Sequence, residues 1–219
     1  MQHKKSIIIE GNIAAGKSTI LDHLKLDSRI EVIPEPIEKW RDLKGQNLLR
    51  LMYTDPKKHA FEFQMYALLT TLQVHKAKTA KPIKIFERSL HSNHMIFARN
   101  MINAGNISDV QFNILDSWYN SLCDNHKEDV SVDRIVYLRS DPRVAYQRLK
   151  RRNRSEETDT TLAYLEELHK LYDDWLIKRT NDKQNDETEV IVINADANIE
   201  TNPNLLDIYK YSILQGLNI

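Results

Sequence analysis

A stretch near the amino terminus has residue types and a spacing that suit phosphate binding. After the apolar run Ile-Ile-Ile at position 7, four residues fit the pattern G-x-x-x-x-G-K-[ST]. Glycines let the backbone turn its N–H groups toward an anion, and the following helix adds a positive partial charge. Lys17 can reach the outer phosphates, and the Ser18 hydroxyl can bind Mg²⁺. The pattern predicts a phosphate-binding loop between a strand and a helix, formed by Gly11, Asn12, Ile13, Ala14, Ala15, Gly16, Lys17, Ser18 and Thr19.

Charged side chains follow two further predicted strands. Glu35 lies between two prolines that exclude helix, at the end of the strand that starts at Arg29. Glu87 and Arg88 follow the strand that starts at Lys81. The carboxyl ends of parallel strands form the edge where α/β folds bind ligands. Glu35 can act there as a general base, Glu87 can bind a metal ion, and Arg88 can bind phosphate or hold Glu35. A solvated turn glutamate and a structural ion pair are the alternatives.

A basic cluster lies at the end of a later predicted helix. Asp141-Pro142 is expected to cap the start of this helix. Its members are Arg148, Lys150, Arg151, Arg152 and Arg154. In a protein without net charge such a cluster needs a function, and a mobile lid whose arginines close over transferring phosphates supplies one. We expect this lid at about residues 150–160. A solvated face and a nucleic-acid patch are the alternatives.

One long helix carries two different stripes of side chains. It begins at Asp55-Pro56, a helix-start signal, and extends to about Lys78. Its predicted core face has apolar residues at helical spacing, namely Phe61, Met65, Leu68, Leu69 and Leu72. A smaller and partly polar stripe consists of Gln64, Ala67 and Thr71. A glutamine amide offers a donor and an acceptor that suit the edge of a nucleobase, although a solvated glutamine is the alternative.

The elements that must position these residues alternate along the chain. Predicted strands begin near Ile7, Arg29, Lys81, Val132 and Glu189, with helical segments between them. Strands that alternate with helices form a parallel sheet covered on both faces. We therefore expect an α/β fold of three layers, α/β/α, with a five-stranded parallel sheet.

Three further segments complete this prediction. Helices are expected from Ser89 to Ala104 and through Leu162 to Trp175. Another helix, from Ser108 to Asn125, is expected to pack through Val110, Ile114, Leu115, Trp118 and Leu122. The polar stretch Asn181 to Glu189 is expected to be a surface loop before the last strand.

Composition limits the class of protein. The 219 residues suffice for one sizeable α/β core, so residues 1–219 are expected to form a single domain. The 31 Lys and Arg residues balance 31 Asp and Glu residues, which argues against nucleic acid as a partner. Cys123 is the only cysteine, and no apolar run suits a membrane helix. The first predicted strand begins within about six residues, so no signal or transit peptide is expected in this sequence unless one was removed. A cytoplasmic protein with no membrane partner is therefore expected.

Several motifs occur in order between Ile7 and Asn198. They are Glu-Gly-Asn-Ile-x-x-Gly-Lys-Ser-Thr, Glu-Pro-Ile-Glu-Lys-Trp, Asp-Pro-Lys-Lys followed by Phe-Gln, Glu-Arg-Ser, Tyr-Leu-Arg-Ser-x-Pro and Arg-Ser-Glu-Glu. Together they resemble the deoxyribonucleoside kinase family. The resemblance covers nearly the whole chain and implies a P-loop kinase-type fold. It also implies transfer of the γ-phosphate of ATP, with Mg²⁺, to the 5'-hydroxyl of a deoxyribonucleoside, and it suggests a homodimer.

The resemblance implies roles for residues at the acceptor end of the site. Glu35 matches the general base for the sugar 5'-hydroxyl, and Trp40 matches a residue that packs beside the base. Gln64 matches the glutamine that pairs with the base edge. Tyr53 and Glu157 match groups that hold the 3'-hydroxyl.

Other matches lie at the donor end. Ser18 and Glu87 match the magnesium site, and Arg88 matches the arginine that steadies base and phosphate. The expected cations for the transferring phosphate are Lys17, Arg88 and the lid arginines Arg152 and Arg154. The segment near the adenine of ATP is matched by Asp196, Ala197 and Asn198.

Three residues bear on the base preference. Thr71 and Asn93 depart from the family pattern, and Ala67 and Thr71 are small enough to leave room for the thymine methyl group or for a purine. The Asn93 amide can both donate and accept, so it does not select a base as an aspartate would. We predict a broad range of deoxynucleosides with a lean to the pyrimidines thymidine and deoxycytidine.

Other classes of phosphate-binding protein share part of this pattern. A GTPase would need D-x-x-G after a strand, whereas Asp42-Leu-Lys-Gly follows none, and its N-K-x-D motif is absent. A nucleoside monophosphate kinase, such as a thymidylate kinase, shares the loop, the sheet and the lid, but it needs further cations for the phosphate of the acceptor. A nucleotide-binding regulator without catalysis is the third possibility.

Overall fold

A computed structural model gives the fold and describes residues 4–154, 157–181 and 188–217. Its centre is a sheet of five parallel strands in the spatial order β2-β3-β1-β4-β5. The strands are β1 (Lys5–Gly11), β2 (Ile30–Ile33), β3 (Ile83–Glu87), β4 (Arg134–Arg139) and β5 (Glu189–Asn194). The predicted five-stranded parallel sheet is confirmed.

The central strands are apolar on both faces because helices cover both faces of the sheet. Ile7, Ile8 and Ile9 of β1 are fully buried. On one side Ile7 pairs with Ile85 of β3, and on the other side Ile8 pairs with Ile135 of β4. The edge strand β5 instead mixes buried and exposed positions. The uninterrupted apolar run that predicted β1 therefore reflects its central place.

Each of the five strands is followed by one or more helices. In chain order they are α1 (Lys17–Leu24), α2 (Ile37–Arg41), α3 (Leu48–Thr54), α4 (Pro56–His75), α5 (Leu90–Ser92), α6 (Arg99–Asn103), α7 (Asp109–Asn125), α8 (Lys127–Val130), α9 (Pro142–Arg152), α10 (Leu162–Tyr172), α11 (Lys178–Asn181) and α12 (Leu205–Leu214). Asp55 and Asp141 cap α4 and α9 by accepting backbone N–H groups. Both predicted Asp-Pro helix starts are therefore confirmed.

Two predicted helices each contain a π-helical segment. The first π segment, Asn93–Ala98, lies between α5 and α6, and the second, Asp173–Ile177, lies between α10 and α11. Hydrophobic periodicity predicts a continuous helix at both places, because it does not register the wider turn. Such segments are frequent at functional sites, and the first one carries Asn93.

Three apolar clusters hold the layers together. The first packs α1 and α12 against one face of the sheet, where Val136 and Leu138 point. The second packs α9 and α10 against the opposite face, where Ile135 and Tyr137 point. A third cluster joins α3, α4 and α7. The first two clusters lie on opposite faces of the sheet, so the predicted α/β/α arrangement is confirmed.

Some residues expected in the core are exposed. Leu69 of α4 is 50% exposed, so its assignment to the core face was wrong. On α7, Leu115 is fully buried, but Val110, Ile114 and Trp118 are 68%, 41% and 50% exposed. Only one side of α7 packs on the protein, and its apolar residues extend beyond that side.

Two predictions fall partly outside the described residues. Ser155 and Glu156 of the expected lid and residues 182–187 of the expected loop are not among them. Within the part of the chain that the structure does describe, no helix is both long and apolar enough to cross a membrane.

Candidate active site

The order of the strands opens a crevice at the carboxyl edge of the sheet. From β1 the chain runs toward the β2 edge of the sheet. From β3, the neighbour of β1, it runs in the opposite direction, to β4. Adjacent parallel strands whose connections diverge leave a ligand crevice between them. The predicted phosphate loop follows β1, and Arg88 follows β3.

The phosphate loop is curled by residues with unusual backbone angles. Gly11 has a φ of 149°, and a Cβ there would lie 2.7 Å from the carbonyl oxygen of Leu138. Ala14 and Gly16 also have positive φ values, of 59° and 99°, and Gly16 directly precedes α1. The Asn12 side chain ties the loop to α10 by donating to the carbonyl of Leu165 at 2.8 Å. The loop therefore has the conformation that presents backbone N–H groups at a helix start.

Lys17 folds back over this loop. Its Nζ donates to the carbonyl oxygens of Gly11 and Asn12, at 3.1 and 2.8 Å. Burial, followed by the charge of Arg88, lowers the pKa of Lys17 to about 7. Nearby phosphate charge would favour the charged form of this lysine.

Ser18 and Glu87 meet on the wall of the crevice. The Ser18 hydroxyl donates to Oε1 of Glu87 at 3.1 Å. A hydroxyl and a carboxylate are oxygen ligands of the kind Mg²⁺ prefers, and Mg²⁺ sites commonly use one or two carboxylates together with substrate phosphates. Among the residues described, no group of three His, Cys, Asp or Glu side chains could hold a metal by itself. The pair therefore fits a metal that arrives with the nucleotide.

A single cavity of about 840 Å³ joins most of the predicted site residues. Those on its wall are Ile13, Ala14, Gly16, Lys17, Ser18, Thr19, Glu35, Trp40, Tyr53, Gln64, Ala67, Glu87, Arg88, Asn93, Arg152, Arg154, Glu157 and Asn198. Those that do not line it are Gly11, Asn12, Ala15, Thr71, Asp196 and Ala197. Residues predicted for the phosphate end and for the nucleoside end therefore line one and the same cavity.

Glu35 and Arg88 face each other at the middle of the cavity. Glu35 Oε1 lies 3.4 Å from Arg88 Nε, and both side chains are largely buried. Burial raises the pKa of the Glu35 carboxyl, and the neighbouring Glu87 adds to this rise, whereas Arg88 and Lys17 oppose it. A raised pKa suits a carboxylate that must accept a proton.

The far end of the cavity is lined by the Trp40 ring and two amides, Gln64 and Asn93. Trp40 Nε1 donates to Thr70 Oγ1 at 2.8 Å, which fixes the indole. Asn93 Nδ2 donates to the Thr71 hydroxyl at 2.7 Å, so Thr71 acts behind Asn93 rather than on the wall. The Nε2 atom of Gln64 is buried without a hydrogen-bond partner in the described structure. An orphaned donor on a cavity wall fits a ligand that brings an acceptor.

Tyr53 and Glu157 lie between the two ends. Burial raises the pKa of Tyr53 well above its usual value, so its hydroxyl stays neutral and can donate. Glu157 forms ion pairs with Arg152 and, at 3.7 Å, with Arg154. The two predicted lid arginines and the predicted sugar-binding acid therefore form one group.

The segment expected near adenine is only partly on the wall. The Asp196 carboxylate instead accepts from the Ser140 hydroxyl and the Asp141 N–H, at 3.1 and 2.7 Å. Arg148 donates to the carbonyl oxygens of Ala195, Asp196 and Ala197. Of the three predicted residues only Asn198 lines the cavity, whereas Asp196 and Ala197 form the loop that Arg148 holds beside it. The role of this segment near adenine stays a prediction.

Sequence reasoning missed several wall residues, namely Ile37, Met52, Phe97, Met101 and Tyr164. The Phe97 ring lies 4.5 Å below the guanidinium of Arg88. The available signal was weak: Phe97 lies one helical turn after Asn93, within the short apolar run Met95-Ile96-Phe97-Ala98. Apolar wall residues of this kind have the same pattern as core residues.

The curled loop beside an acid–arginine pair defines a P-loop phosphotransferase. A sequence profile described as "Deoxynucleoside kinase" matches residues 7–208. The chain therefore belongs to the deoxynucleoside kinase family, whose members phosphorylate deoxynucleosides, and the resemblance of its motifs is confirmed.

Named relatives agree with this assignment. The chain is 43% identical over 178 residues to "Thymidine kinase 2, mitochondrial" of Macaca fascicularis, covering 81% of this chain and 66% of the relative. It is 41% identical over 200 residues to the human protein of the same name, covering 91% and 74%. It is 37% identical over 199 residues to "Deoxycytidine kinase 2" of Gallus gallus, covering 80% and 75%.

Proposed function

We propose that the protein transfers the γ-phosphate of ATP to the 5'-hydroxyl of deoxyribonucleosides. The observation that carries this proposal is the single cavity that holds Lys17 of the phosphate loop at one end and Gln64 at the other, with Glu35 and Arg88 between them. Its volume, about 840 Å³, suits a nucleoside and the phosphates of a nucleotide together.

Glu35 is the general base in this proposal. It takes the proton of the 5'-hydroxyl, the oxygen attacks the γ-phosphorus, and the bond to the β-phosphate oxygen breaks so that ADP leaves. Lys17, Arg88 and the lid arginines Arg152 and Arg154 stabilise the spreading charge. Tyr53 and Glu157 hold the 3'-hydroxyl, and Trp40 packs beside the base.

The metal proposal rests on the contact of Ser18 with Glu87. These two residues would hold Mg²⁺ with the nucleotide phosphates. Mg²⁺ neutralises charge on the phosphates and orients them when it is bound. We also propose that residues 1–219 act as one domain and that residues 150–160 move as a lid over ATP.

We propose a lean to pyrimidine deoxynucleosides. Thymidine and deoxycytidine appear in the names of the relatives. The Asn93 amide on the cavity wall bonds the Thr71 hydroxyl behind it, and each of the two groups can donate or accept. Thr71 thus can hold either orientation of the amide, which leaves Asn93 able to face the O4 of thymine or the amino group of cytosine.

The test is phosphorylation of thymidine, deoxycytidine, deoxyadenosine and deoxyguanosine with ATP and Mg²⁺, with dTMP as the competing acceptor. We expect transfer to nucleosides, fastest to the two pyrimidines. Transfer to dTMP alone would instead indicate a monophosphate kinase, which the names of the relatives do not favour. ATP binding without any transfer would indicate a regulator.

We also propose a homodimer through an apolar surface on α7 and α4. The surface consists of Val110, Ile114, Trp118 and Leu69, all at least 41% exposed. Val110, Ile114 and Trp118 recur at four-residue spacing along α7, and α4, which carries Leu69, packs against α7. Grouped exposed apolar residues mark interaction sites. Light scattering should find a dimer that Ile114→Glu converts to a monomer, whereas Ile208→Glu, which changes a residue of α12 that is 55% exposed, should not.

Location and other partners stay predictions. We propose a cytoplasmic protein on the ground of the lone Cys123, although two relatives are mitochondrial by name. Cell fractionation with a tagged chain tests this. The balance of 31 basic and 31 acidic residues argues that nucleic acid is no partner, which a gel-shift titration tests.

A further inference from the structure

A buried acid behind the cavity takes no part in the transfer proposed above. Glu10 lies near the end of β1, is fully buried and does not line the cavity. Burial raises the pKa of its carboxyl, whereas the Ser89 hydroxyl and the charge of Arg88 oppose the rise. An acid at such a place costs stability unless its partners compensate. Its partners therefore indicate what it does.

Glu10 sets the direction of a tyrosine hydroxyl. Tyr172 Oη donates to Glu10 Oε2 at 3.1 Å, and the Ser89 hydroxyl donates to Oε1 at 2.7 Å. A tyrosine hydroxyl has a single hydrogen. Since Tyr172 donates it to Glu10, its oxygen is left as an acceptor, and Arg88 Nη1 donates to that oxygen at 3.2 Å.

Arg88 is held from several sides at once. Its guanidinium lies over the Phe97 ring, 4.5 Å from the centroid, and its backbone φ is 62°. Arg88 Nε lies 3.4 Å from Glu35 Oε1 but makes no hydrogen bond with any described residue. An arginine free to move near a carboxylate forms short, paired hydrogen bonds with it. The hydrogen bond to Tyr172 holds this guanidinium short of that arrangement.

We propose that Glu10 and Tyr172 are positioning residues that fix the Arg88 guanidinium and keep it from closing on Glu35. Glu10 directs the Tyr172 hydroxyl, and Tyr172 holds Arg88. A carboxylate paired tightly with arginine is a weak base, so this arrangement keeps Glu35 available to the acceptor. The catalytic consequence rests on the proposed function, whereas the contact itself does not.

The kinetic test compares two buried tyrosines, Tyr172 and Tyr137, whose stacked rings have centroids 5.5 Å apart. Tyr172→Phe removes the acceptor of Arg88. Tyr137→Phe, the matched control, removes a hydroxyl that donates to Asp173 instead. We expect kcat/KM for thymidine to fall about tenfold in Tyr172→Phe, since a hydrogen bond to a charged group is lost. KM for ATP should change less than about twofold. Activity of Tyr172→Phe equal to that of Tyr137→Phe would overturn the proposal.

Glu10→Gln tests the first part of the relay. Glu10→Gln should lower kcat/KM for thymidine, as Tyr172→Phe does. In the double variant kcat/KM should fall no further than in the worse single variant, because both residues act on Arg88. Multiplied losses would mean separate roles and would contradict the relay.

A stability cycle separates this inference from the proposed function. Urea unfolding of Tyr172→Phe, Arg88→Gln and their double variant measures the coupling of the two side chains without any substrate. We expect the double variant to lose less stability than the sum of the single losses, whereas Tyr137→Phe combined with Arg88→Gln should be additive. If the wild type transfers no phosphate, the proposed function fails and this cycle still decides the contact. Additive losses of stability in Tyr172→Phe and Arg88→Gln would overturn the proposed contact.

Discussion

The phosphate end and the nucleoside end of the cavity are built in different ways. The loop that forms the base of the phosphate end is one continuous stretch, Gly11 to Thr19, shaped by backbone angles and a helix start. The nucleoside end collects side chains from separate elements, with Trp40 on α2, Tyr53 on α3, Gln64 on α4 and Asn93 on the first π segment. A site made of backbone tolerates few changes of shape, whereas a site made of side chains can change its specificity one residue at a time.

The largest expected effect lies where the two ends meet. Glu35→Gln should lower kcat about 10²- to 10⁴-fold, because the amide cannot take the proton of the acceptor. KM for ATP should change little, since the phosphate loop is untouched. The matched control is Glu31→Gln, which changes an acid of β2 that pairs with Lys81 outside the cavity. A steady-state kcat of Glu35→Gln within about threefold of that of Glu31→Gln would refute the role of Glu35 as general base.

Gly11→Ala tests whether the phosphate end depends on backbone shape. A Cβ at 2.7 Å from the Leu138 carbonyl and a φ of 149° should lower the free energy of unfolding by about 1–3 kcal/mol and weaken ATP binding. Gly45→Ala is the control: the φ of Gly45 is also positive, at 87°, but a Cβ added there would meet no atom within 4 Å. Urea titration and ATP calorimetry measure both effects. Equal losses in the two variants would show that the close approach to Leu138 is unimportant.

Asn93→Asp tests whether the nucleoside end can be retuned without harm to the phosphate end. An ionised carboxylate accepts only, so it favours the amino group of cytosine and repels the O4 of thymine. We expect the ratio of kcat/KM for deoxycytidine to that for thymidine to rise about tenfold, with KM for ATP unchanged. Thr71→Ser keeps the hydroxyl that bonds Asn93 and should leave the ratio near that of the wild type. An unchanged ratio in Asn93→Asp would remove Asn93 from base selection.

The pH dependence of the rate tests the surroundings of Glu35 without any substitution. Burial raises the pKa of Glu35, and the base must be ionised to act. As pH falls through that raised pKa, kcat/KM should decline up to about tenfold per pH unit, and the decline should begin above the range of an exposed glutamate. Rates measured from pH 5 to 8 test this. A profile that stays flat from pH 8 down to pH 5 would contradict the burial effect, because an exposed glutamate is still mostly ionised at pH 5.

The sequence allowed most of the phosphate end to be predicted and only part of the other end. Gly11, Gly16, Lys17 and Ser18 interact within a few residues of one another, so their spacing alone specifies the loop. The residue types of Gln64 and Asn93 could be noted, but the pairing of Asn93 with Thr71 crosses two helices. Periodicity also misplaced Leu69, because it ranks apolar positions without knowing which side of a helix the protein covers.

By itself, the sequence determined the strand–loop–helix at its start, the five-stranded parallel sheet and the family, because these depend on local patterns and on motifs in a fixed order. Tertiary structure alone decided that Phe97 lies under Arg88 and that Asp196 supports a loop instead of the cavity wall. It also decided that Glu10, which no motif marks as functional, reaches Arg88 through Tyr172. Tyr172 lies far along the chain from the other two residues, and only the packing of helices on the sheet brings the three side chains into contact.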